Sequence, residues 1–307
     1  MENTFERKIY ASSDKLFASE TGNYMNQRMS DKQLYMDFLA SVDKRFGDFS
    51  LTGAIGTSYF HYDQQLNSYE GHLLMVPNRF TQNNINKDDP QSKVVQTGFR
   101  DNTQAVFATA QLGWKSLVFL DLTARNDWSS ALKGTKSTSV FYPSVGVSGI
   151  ISDMFDISKS QISFLKMRFS YSEVGNPPPR FITRAVYDLD NGNLSTQSAM
   201  PFSNLKAERT KAYEVGTNMK FWDNRFNLDV TYYNTDTYNQ LFRFDAAPSS
   251  LFTEYYVNAG KVNNWGIEAR LGINTNLGPV KWRSNLTFTM NRNKVIYLLP
   301  DGATNPI

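Results

Sequence analysis

Large apolar residues recur at every second position in many stretches of this chain, with small or polar residues between them. From Phe226 to Tyr232 the apolar side chains alternate with Asn, Asp and Thr. The same alternation returns at 165–171, 267–273 and 282–290. Because successive side chains of a β-strand point to opposite faces of a sheet, each stretch predicts a strand with one apolar and one polar face. The pattern predicts an all-β protein.

The connections between these strands alternate in length. Short turns rich in Gly, Asp and Asn join strands into pairs, and long polar stretches separate the pairs at about 63–102, 127–139, 173–210 and 235–254. The sequence predicts an antiparallel up-and-down meander of about 10–11 long strands, with all short turns at one end of the sheet. An additional strand is expected near 5–13, and the five hairpins are expected at 34–46/49–62, 103–114/117–126, 140–152/161–172, 211–222/225–235 and 255–276/280–297.

The length of the predicted strands separates two kinds of β protein. Strands of soluble proteins usually have about 5–6 residues, whereas a tilted strand needs about 9–11 to cross a bilayer. Aromatic residues flank the short turns, as in the girdle of a membrane barrel; they are Phe46, Phe49, Trp114, Phe155, Phe221, Trp222 and Trp282. These features favour part of a transmembrane β-barrel, open or incomplete. The alternative is a surface-exposed or soluble β-sheet adhesin or glycan-binding module that buries its apolar face in a core.

Charge and composition argue against several classes of function. With 32 basic and 29 acidic residues, the net charge of +3 does not suggest a nucleic-acid partner. Zero cysteines and 2 histidines leave no thiol chemistry and little acid–base chemistry near neutral pH. Because nucleophile and phosphate-loop motifs are also missing from the sequence, we expect no catalytic residues, no cofactor and no enzyme activity. The glycine spacing at 188–192 favours an ordinary turn over a calcium loop, so no metal site is expected.

Aromatic residues in the long polar stretches are the candidate binding residues, because a flat ring with a polar group can stack on a sugar or pack on a partner. The rings are Tyr62, Tyr69, Trp128, Tyr187, Tyr238, Tyr255 and Tyr256. We expect the last five to contact substrate or a lid. The alternative is that they form the aromatic rim of the barrel at the outer membrane interface.

Several ordered motifs resemble those of SusC/RagA-like TonB-dependent outer-membrane transporters. Segments 125–130, 141–144, 165–176, 205–216 and 258–268 are similar to that family's R-x-D-x-S-S, F-P-S, strand-to-Gly-Asn, L-x-P-E-x-T-x-x-x-E-x-G and N-A-G-x-V-x-N-x-G-I-E patterns, with Ala207 where proline is usual. The residues that carry the motifs are Asp127, Gly175, Asn176, Glu208, Glu214, Gly216, Asn258, Gly260, Gly266 and Glu268. We expect them to stabilise the barrel wall, with Glu214 and Glu268 on the polar face, able to pair with Arg168 or Arg270.

The resemblance implies the wall of a nutrient importer in the outer membrane of a Gram-negative bacterium. It implies a SusD-like surface lipoprotein, the TonB complex and outer-membrane lipid as partners, and a glycan or peptide as substrate. Residues 1–307 are expected to be a partial barrel domain, without the family's plug domain, TonB-contact segment or a signal peptide. Such a barrel fragment is not expected to transport alone.

Overall fold

The computed structural model describes residues 1–11, 20–135, 138–157, 161–183, 187–190, 193–196, 199–202, 204–250 and 252–298. The strands are β1 (Glu2–Ile9), β2 (Asn23–Phe46), β3 (Phe49–His72), β4 (Lys93–Trp114), β5 (Val118–Ser129), β6 (Ser139–Ile150), β7 (Ile162–Asn176), β8 (Tyr187–Asp190), β9 (Asn193–Thr196), β10 (Glu208–Phe221), β11 (Phe226–Asp245), β12 (Glu254–Leu277) and β13 (Val280–Tyr297). The helical segments are α1 (Ile151–Met154) and single 3₁₀ turns at Gln82–Asn84, Ser130–Leu132 and Pro248–Ser250. None of the described helices is long and apolar enough to cross a bilayer.

Eleven strands form one sheet in chain order, with the separate β8–β9 hairpin inserted between β7 and β10. The predicted antiparallel meander of about 10–11 long strands is therefore confirmed. Among the described residues, β1 and β13 end the order and do not pair with each other, so the sheet is not closed.

The strands are longer than the sequence pattern predicts. β2, β3 and β12 each have 24 residues. The long stretches expected at 63–102, 173–210 and 235–254 begin and end inside strands, and β8–β9 is a hairpin where only loop was expected. The strand expected near 5–13 is Glu2–Ile9, and 12–13 lie outside the described residues. The alternation of apolar and polar residues stops before the backbone ladder does, because the strand ends carry polar residues on both faces.

The described residues form two compact units. The first contains those within 1–36, 59–103 and 185–198. In it, Leu73 and Ile85 of the connection after β3 pack with Tyr24 of β2 in a small buried core. His72 Nδ1 lies 2.7 Å from Asp89 Oδ2. The pKa of Asp89 lies below its ordinary range because the backbone N–H of Gln91 and the His72 side chain both contact its carboxylate.

The second unit contains the described residues within 37–58, 104–184 and 199–307, and with them all the short turns. Backbone hydrogen bonds join successive turn regions, from Lys115 N–H to Asp48 O at 2.7 Å, from Ile150 N–H to Leu117 O at 2.8 Å and from Trp222 N–H to Gln161 O at 3.1 Å. A fourth joins Asn274 N–H to Arg225 O at 2.7 Å. The short turns therefore lie side by side at one end of this unit, as the sequence predicts.

The register of β10–β13 gathers the alternating apolar residues onto one face. Leu228 lies opposite Leu271, which lies opposite Leu286. Val230, Ala269 and Phe288 form the next row. Leu286 is 67% exposed and Phe288 is 58% exposed. This apolar face has no cover among the described residues there, and Asp229, Thr287 and Asn285 lie on the opposite, polar face.

Candidate functional site

Aromatic rings bound the apolar face of the second unit at two levels. Next to the short turns, the Trp222 ring lies 5.4 Å from Phe226 and 6.0 Å from Phe221. Farther along the strands, Tyr171 and Tyr213 lie 4.9 Å apart between ring centres. On β11 and β12, Tyr232 and Trp265 continue the second level at 6.5 Å. We call the strand segments between the two levels the near half, and the segments beyond the second level the far half.

The distance between the two ring levels can be compared with the height of a membrane's apolar band. At about 3.3 Å per residue, the six steps from Phe226 to Tyr232 and the eight from Phe221 to Tyr213 measure about 20–26 Å along the strands. Strands of outer-membrane barrels are tilted by about 35–45°, so this length corresponds to about 14–21 Å of their apolar band, which is about 25 Å tall. The near half therefore has the apolar face and the two aromatic levels of a membrane-crossing sheet, with the rings just inside the edges of a band of that height.

In the far half, the continuation of the apolar face becomes charged. On β11 and β12, Asp236 forms an ion pair with Lys261 at 3.1 Å and accepts hydrogen bonds from Asn263 at 2.9 Å and Tyr238 at 3.1 Å. Partial burial acts to raise the pKa of Asp236, but the hydrogen bonds from Asn263, Lys261 and Tyr238 outweigh it and hold the pKa below its ordinary value. Asp236 therefore stays ionised in a small polar network.

A second charged group occupies the same level on β7 and β10. Glu173 lies opposite Lys211 in the ladder, and its carboxylate is 3.5 Å from that ammonium and 3.3 Å from Arg209. The Tyr171 hydroxyl also donates a hydrogen bond to Glu173, and with the two cations it holds the pKa of Glu173 below its ordinary value. Ion pairs thus lie directly beyond the second ring level, as they would at a boundary between hydrocarbon and water.

The candidate binding rings of the second unit have different surroundings. Tyr238 belongs to the Asp236 network, with the Lys261 ammonium 5.0 Å from its ring centre. Tyr255 stacks on Phe244 at 5.6 Å, and Tyr256 donates a hydrogen bond to Glu254 at 3.3 Å. Trp128 ends β5, which β6, β7 and β10 separate from β11, and it is 43% exposed. Tyr187 lies in the first unit and is 63% exposed.

On the polar face, the absence of a side chain at Gly216 allows the Arg168 side chain to cross β10. A Cβ at Gly216 would lie 2.4 Å from Nε of Arg168. Because that space is free, the guanidinium reaches Asp229 on β11 at 2.9 Å and donates a hydrogen bond to Thr231. Asn218 donates to the other oxygen of Asp229 at 3.0 Å. The glycine of the E-x-G motif therefore permits a hydrogen-bonded network across three strands.

The expected pairing of the motif glutamates is wrong. Arg168 pairs with Asp229 instead, and Arg270 Nη2 lies 3.5 Å from the side-chain oxygen of Asn285. Glu214 and Glu268 form no ion pair with any residue that the structure describes. The ladder explains this outcome, because Glu214 lies opposite Ser170 and Glu268 lies opposite Thr231 and Thr289, so neither has a cation directly across.

Gly266 and Gly175 also lie under large side chains. A Cβ at Gly266 would approach the Tyr233 hydroxyl to 2.5 Å, and one at Gly175 would approach the Tyr142 ring to 2.8 Å. Bulky residues at these two positions would displace those rings. Two further motif residues lie near strand ends. Asp127, near the end of β5, pairs with Arg125 at 2.7 Å. Asn176, the last residue of β7, lies opposite Glu208 in the β7–β10 ladder.

Asn258 joins three segments of the far half. Its side-chain oxygen accepts a hydrogen bond from Lys206 N–H at 2.7 Å, and its Nδ2 donates to the carbonyls of Lys206 at 3.0 Å and Asn239 at 2.9 Å. Nearby, Asn239 and Gly260 have positive φ angles of 57° and 79°. The N-A-G motif therefore holds the segment before β10 against β11 and β12.

Sequence reasoning missed the Arg168–Asp229 network and the two charged groups of the far half. A usable signal was present, because Asp236 and Lys261 fall on the same alternating positions as the apolar residues of β11 and β12. Among the residues that the structure describes, no group of His, Cys, Asp and Glu is arranged to hold a metal ion.

Comparison with known proteins identifies the family. The family model described as TonB dependent receptor-like, beta-barrel matches residues 3–306. TonB-dependent receptor P3 of Formosa agariphila is 26% identical over 296 residues, which cover 92% of this chain and 28% of that protein. TonB-dependent receptor P39 of the same organism is 24% identical over 306 residues, which cover 91% of this chain and 28% of that protein. The chain thus spans less than a third of the curated relatives it matches.

Solved structures share the fold. The RagAB peptide transporter superposes with a TM-score of 0.79 at 18% identity, over 97% of this chain and 33% of that chain. The outer membrane transporter YddB from Escherichia coli superposes with a TM-score of 0.59 at 12% identity, over 89% of this chain and 34% of that chain. These findings confirm the resemblance to SusC/RagA-like receptors drawn from the motifs. The chain belongs to the TonB-dependent receptor-like β-barrel family.

Proposed function

We propose that this chain forms part of the membrane-crossing wall of an outer-membrane importer. The observation that carries the proposal is the apolar face of the near half, with an aromatic level at each end and ion pairs directly beyond the second. Lipid is the partner that such a face requires, since an exposed apolar surface of this extent is unfavourable in water. The short turns then face the periplasm, and the far half extends beyond the membrane.

The substrate and protein partners follow from the relatives. Because the RagAB structure is that of a peptide transporter, peptides are the first class to test, with glycans as the second. A SusD-like lipoprotein is the expected partner of the far half, and the TonB complex is the expected source of energy. We assign no enzymatic role to this chain, since the networks of Asp236, Glu173 and Asp229 join strands and pair opposite charges.

An adhesin or soluble glycan-binding module is not proposed. It would require a cover for the apolar face, and family membership favours lipid as that cover. A whole receptor that stays monodisperse without detergent would contradict this choice.

Site-directed spin labelling of the whole receptor in lipid tests the wall assignment. Nitroxides at Leu228→Cys and Val230→Cys should collide preferentially with oxygen, which concentrates in hydrocarbon. A nitroxide at Tyr238→Cys, on the same face of the same strand beyond the second ring level and opposite Lys261, should collide preferentially with a water-soluble nickel complex. Equal accessibility profiles at 228 and 238 would reject the membrane assignment.

Import is tested separately by uptake of labelled peptides and glycans into cells that carry the whole receptor. Uptake should stop when the proton-motive force is dissipated, and it should fall when the partner lipoprotein is deleted. Energy-independent uptake would contradict a TonB-coupled role while leaving the wall assignment intact.

A further inference from the structure

Strand β13 carries two cations on the continuation of the apolar face. Leu286, Phe288 and Met290 alternate along this strand, and the next two positions of the same alternation are Arg292 and Lys294. Alternate residues of a strand share a face, so both cations lie on the side that the proposed function assigns to lipid. Both residues are exposed, and neither forms an ion pair with any residue that the structure describes.

The ladder places the two cations at the edge of the apolar face. Arg292 lies opposite Trp265, which belongs to the second ring level, and Lys294 lies opposite Asn263. At about 3.3 Å per residue, Lys294 is about 7 Å farther along the strand than Arg292. Trp is enriched where the headgroups of a bilayer begin, and the long stems of Lys and Arg let their charges reach that level.

Charge on this part of the face is unbalanced. Five cations and two carboxylates occupy it on β7 and β10–β13, between the second ring level and the Tyr238–Lys261 pair; they are Arg209, Lys211, Lys261, Arg292, Lys294, Glu173 and Asp236. Each carboxylate already has a cation within 3.1–3.5 Å on β10 or β12. Glu214 and Glu268 lie on the opposite face. Within this group of residues, the two cations of β13 therefore have no counter-charge.

We propose that Arg292 and Lys294 bind the anionic, phosphate-bearing headgroup of a membrane lipid, an inference that rests on the membrane wall of the proposed function and adds its headgroup preference. A lipid whose chains cover Phe288 and Met290 places its headgroup beside these cations, because the charged stretch continues the apolar face. A guanidinium pairs with two phosphate oxygens at once, and the ammonium adds a second positive charge. A zwitterionic headgroup carries its own cation and gains less from them.

Local fluorescence quenching in the whole receptor tests the proposal. A bimane label at Met290→Cys lies on the same face as the cations, two residues before Arg292. Vesicles of phosphatidylcholine contain a small, equal fraction of phosphatidic acid or phosphatidylcholine that carries a nitroxide near the top of one chain. The phosphatidic acid should quench this label several-fold more than the phosphatidylcholine, because it is enriched at the site. Equal quenching by the two lipids would overturn the proposal.

Charge variants identify the residues responsible for the preference. Arg292→Gln with Lys294→Gln should bring the quenching ratio of the two lipids close to one, and Arg292→Lys with Lys294→Arg should preserve it. Lys281→Gln with Arg283→Gln is the matched control, since it removes the same charge from the polar face of the same strand and should preserve the ratio. Equal losses in the two glutamine pairs would reduce the effect to net charge and overturn the proposal.

Two further outcomes would assign the cations to another anion. If the Arg292 and Lys294 glutamine pair loses binding of inorganic phosphate while the lipid ratio is one throughout, the site takes a free anion and the proposal fails. It fails equally if that pair loses capture of the partner lipoprotein without any lipid preference. A bimane label at Leu228→Cys separates these results from the proposed function: quenching there by both lipids keeps the wall assignment, and no quenching at either label would reject it.

Discussion

The near and far halves belong to the same strands, but their faces carry different kinds of residues. In the near half, one face is apolar and the polar face carries cations opposite asparagines, such as Arg283 opposite Asn274. In the far half, the continuation of the apolar face carries cations beside carboxylates, such as Lys211 with Glu173. The strands continue without interruption from one half to the other.

If the near half forms the proposed membrane wall, the medium around the sheet, and not the backbone ladder, determines which side chains alternate. Where the outer face meets hydrocarbon, charge is excluded from it, because hydrocarbon cannot solvate an unpaired charge. Where the same face meets water, ion pairs are tolerated and tie neighbouring strands together. On the polar face of the near half, Arg168 pairs with Asp229, whereas Lys166 and Arg283 lie opposite asparagines.

The largest expected effect separates the two faces of the near half. In the whole barrel in lipid, Leu228→Arg should destabilise folding by about 2–4 kcal/mol, because it places a cation on the apolar face between the two ring levels. Thr289→Arg is the matched control, since it lies on the polar face opposite Glu268 and gains an opposite charge. Urea unfolding in lipid vesicles measures both. Equal losses of stability would break the distinction between the faces.

In the far half, Asn258→Ala should cost about 1–3 kcal/mol, because three backbone partners lose their hydrogen bonds at once. The segment around Lys206 should then become sensitive to trypsin in intact receptors. Asn293→Ala, which removes a single exposed amide contact to Asn264, is the control and should leave the cleavage rate unchanged. Unchanged cleavage at Lys206 in the Asn258 variant would show that the clamp does not hold this segment.

Gly216→Ala should cost about 1 kcal/mol, which is below the range of about 1.5–3 kcal/mol for buried charged hydrogen bonds because the Arg168 and Asp229 side chains are 39% and 38% exposed. The new methyl group displaces the guanidinium from Asp229. In an Arg168→Ala background the same substitution should be nearly neutral, because nothing remains to be displaced. A double-mutant cycle measures this coupling, and strict additivity would contradict it.

The smallest effect concerns the ion pairs of the far half. Lys261→Met should raise the pKa of Asp236 toward its ordinary value of 3.8, and Lys281→Met should leave it unchanged. The folded-state pKa is depressed, so the pair stabilises the far half above about pH 4 and loses that contribution as the pH falls through the folded pKa. Carbon chemical shifts of the carboxyl group in detergent micelles measure the titration. An unchanged pKa of Asp236 in the Lys261→Met variant would show that the ion pair does not lower this pKa.

Alternation, with the turn residues between the runs, was enough to predict the sheet and four of the five short turns, because one apolar face imposes a period of two. In the fifth, α1 begins at Ile151, although the strand was expected to continue to 152. It failed at the strand ends, where His72 and Asp245 still belong to strands although both faces are polar. It also failed for Glu214 and Glu268, since their partners depend on which residue lies opposite, and register is not visible in one strand alone. The crossing of Arg168 over Gly216 to Asp229 could not be predicted, because it depends on how β11 lies beside β10. Contact of the five candidate binding rings with substrate or a lid stays a prediction.

The row of hydrogen-bonded turns also sets an order of assembly. Closing a loop costs entropy that grows with its length, so strands joined by two to four residues meet sooner than strands separated by a long connection. The pairs β10–β11 and β12–β13 have such turns, and the bond from Asn274 N–H to Arg225 O lies where the two pairs join. We therefore expect folding to start as hairpins at the short-turn end and to proceed toward the far half. The long connections, which carry the least of this early structure, are free to vary in sequence without delaying the first steps of insertion.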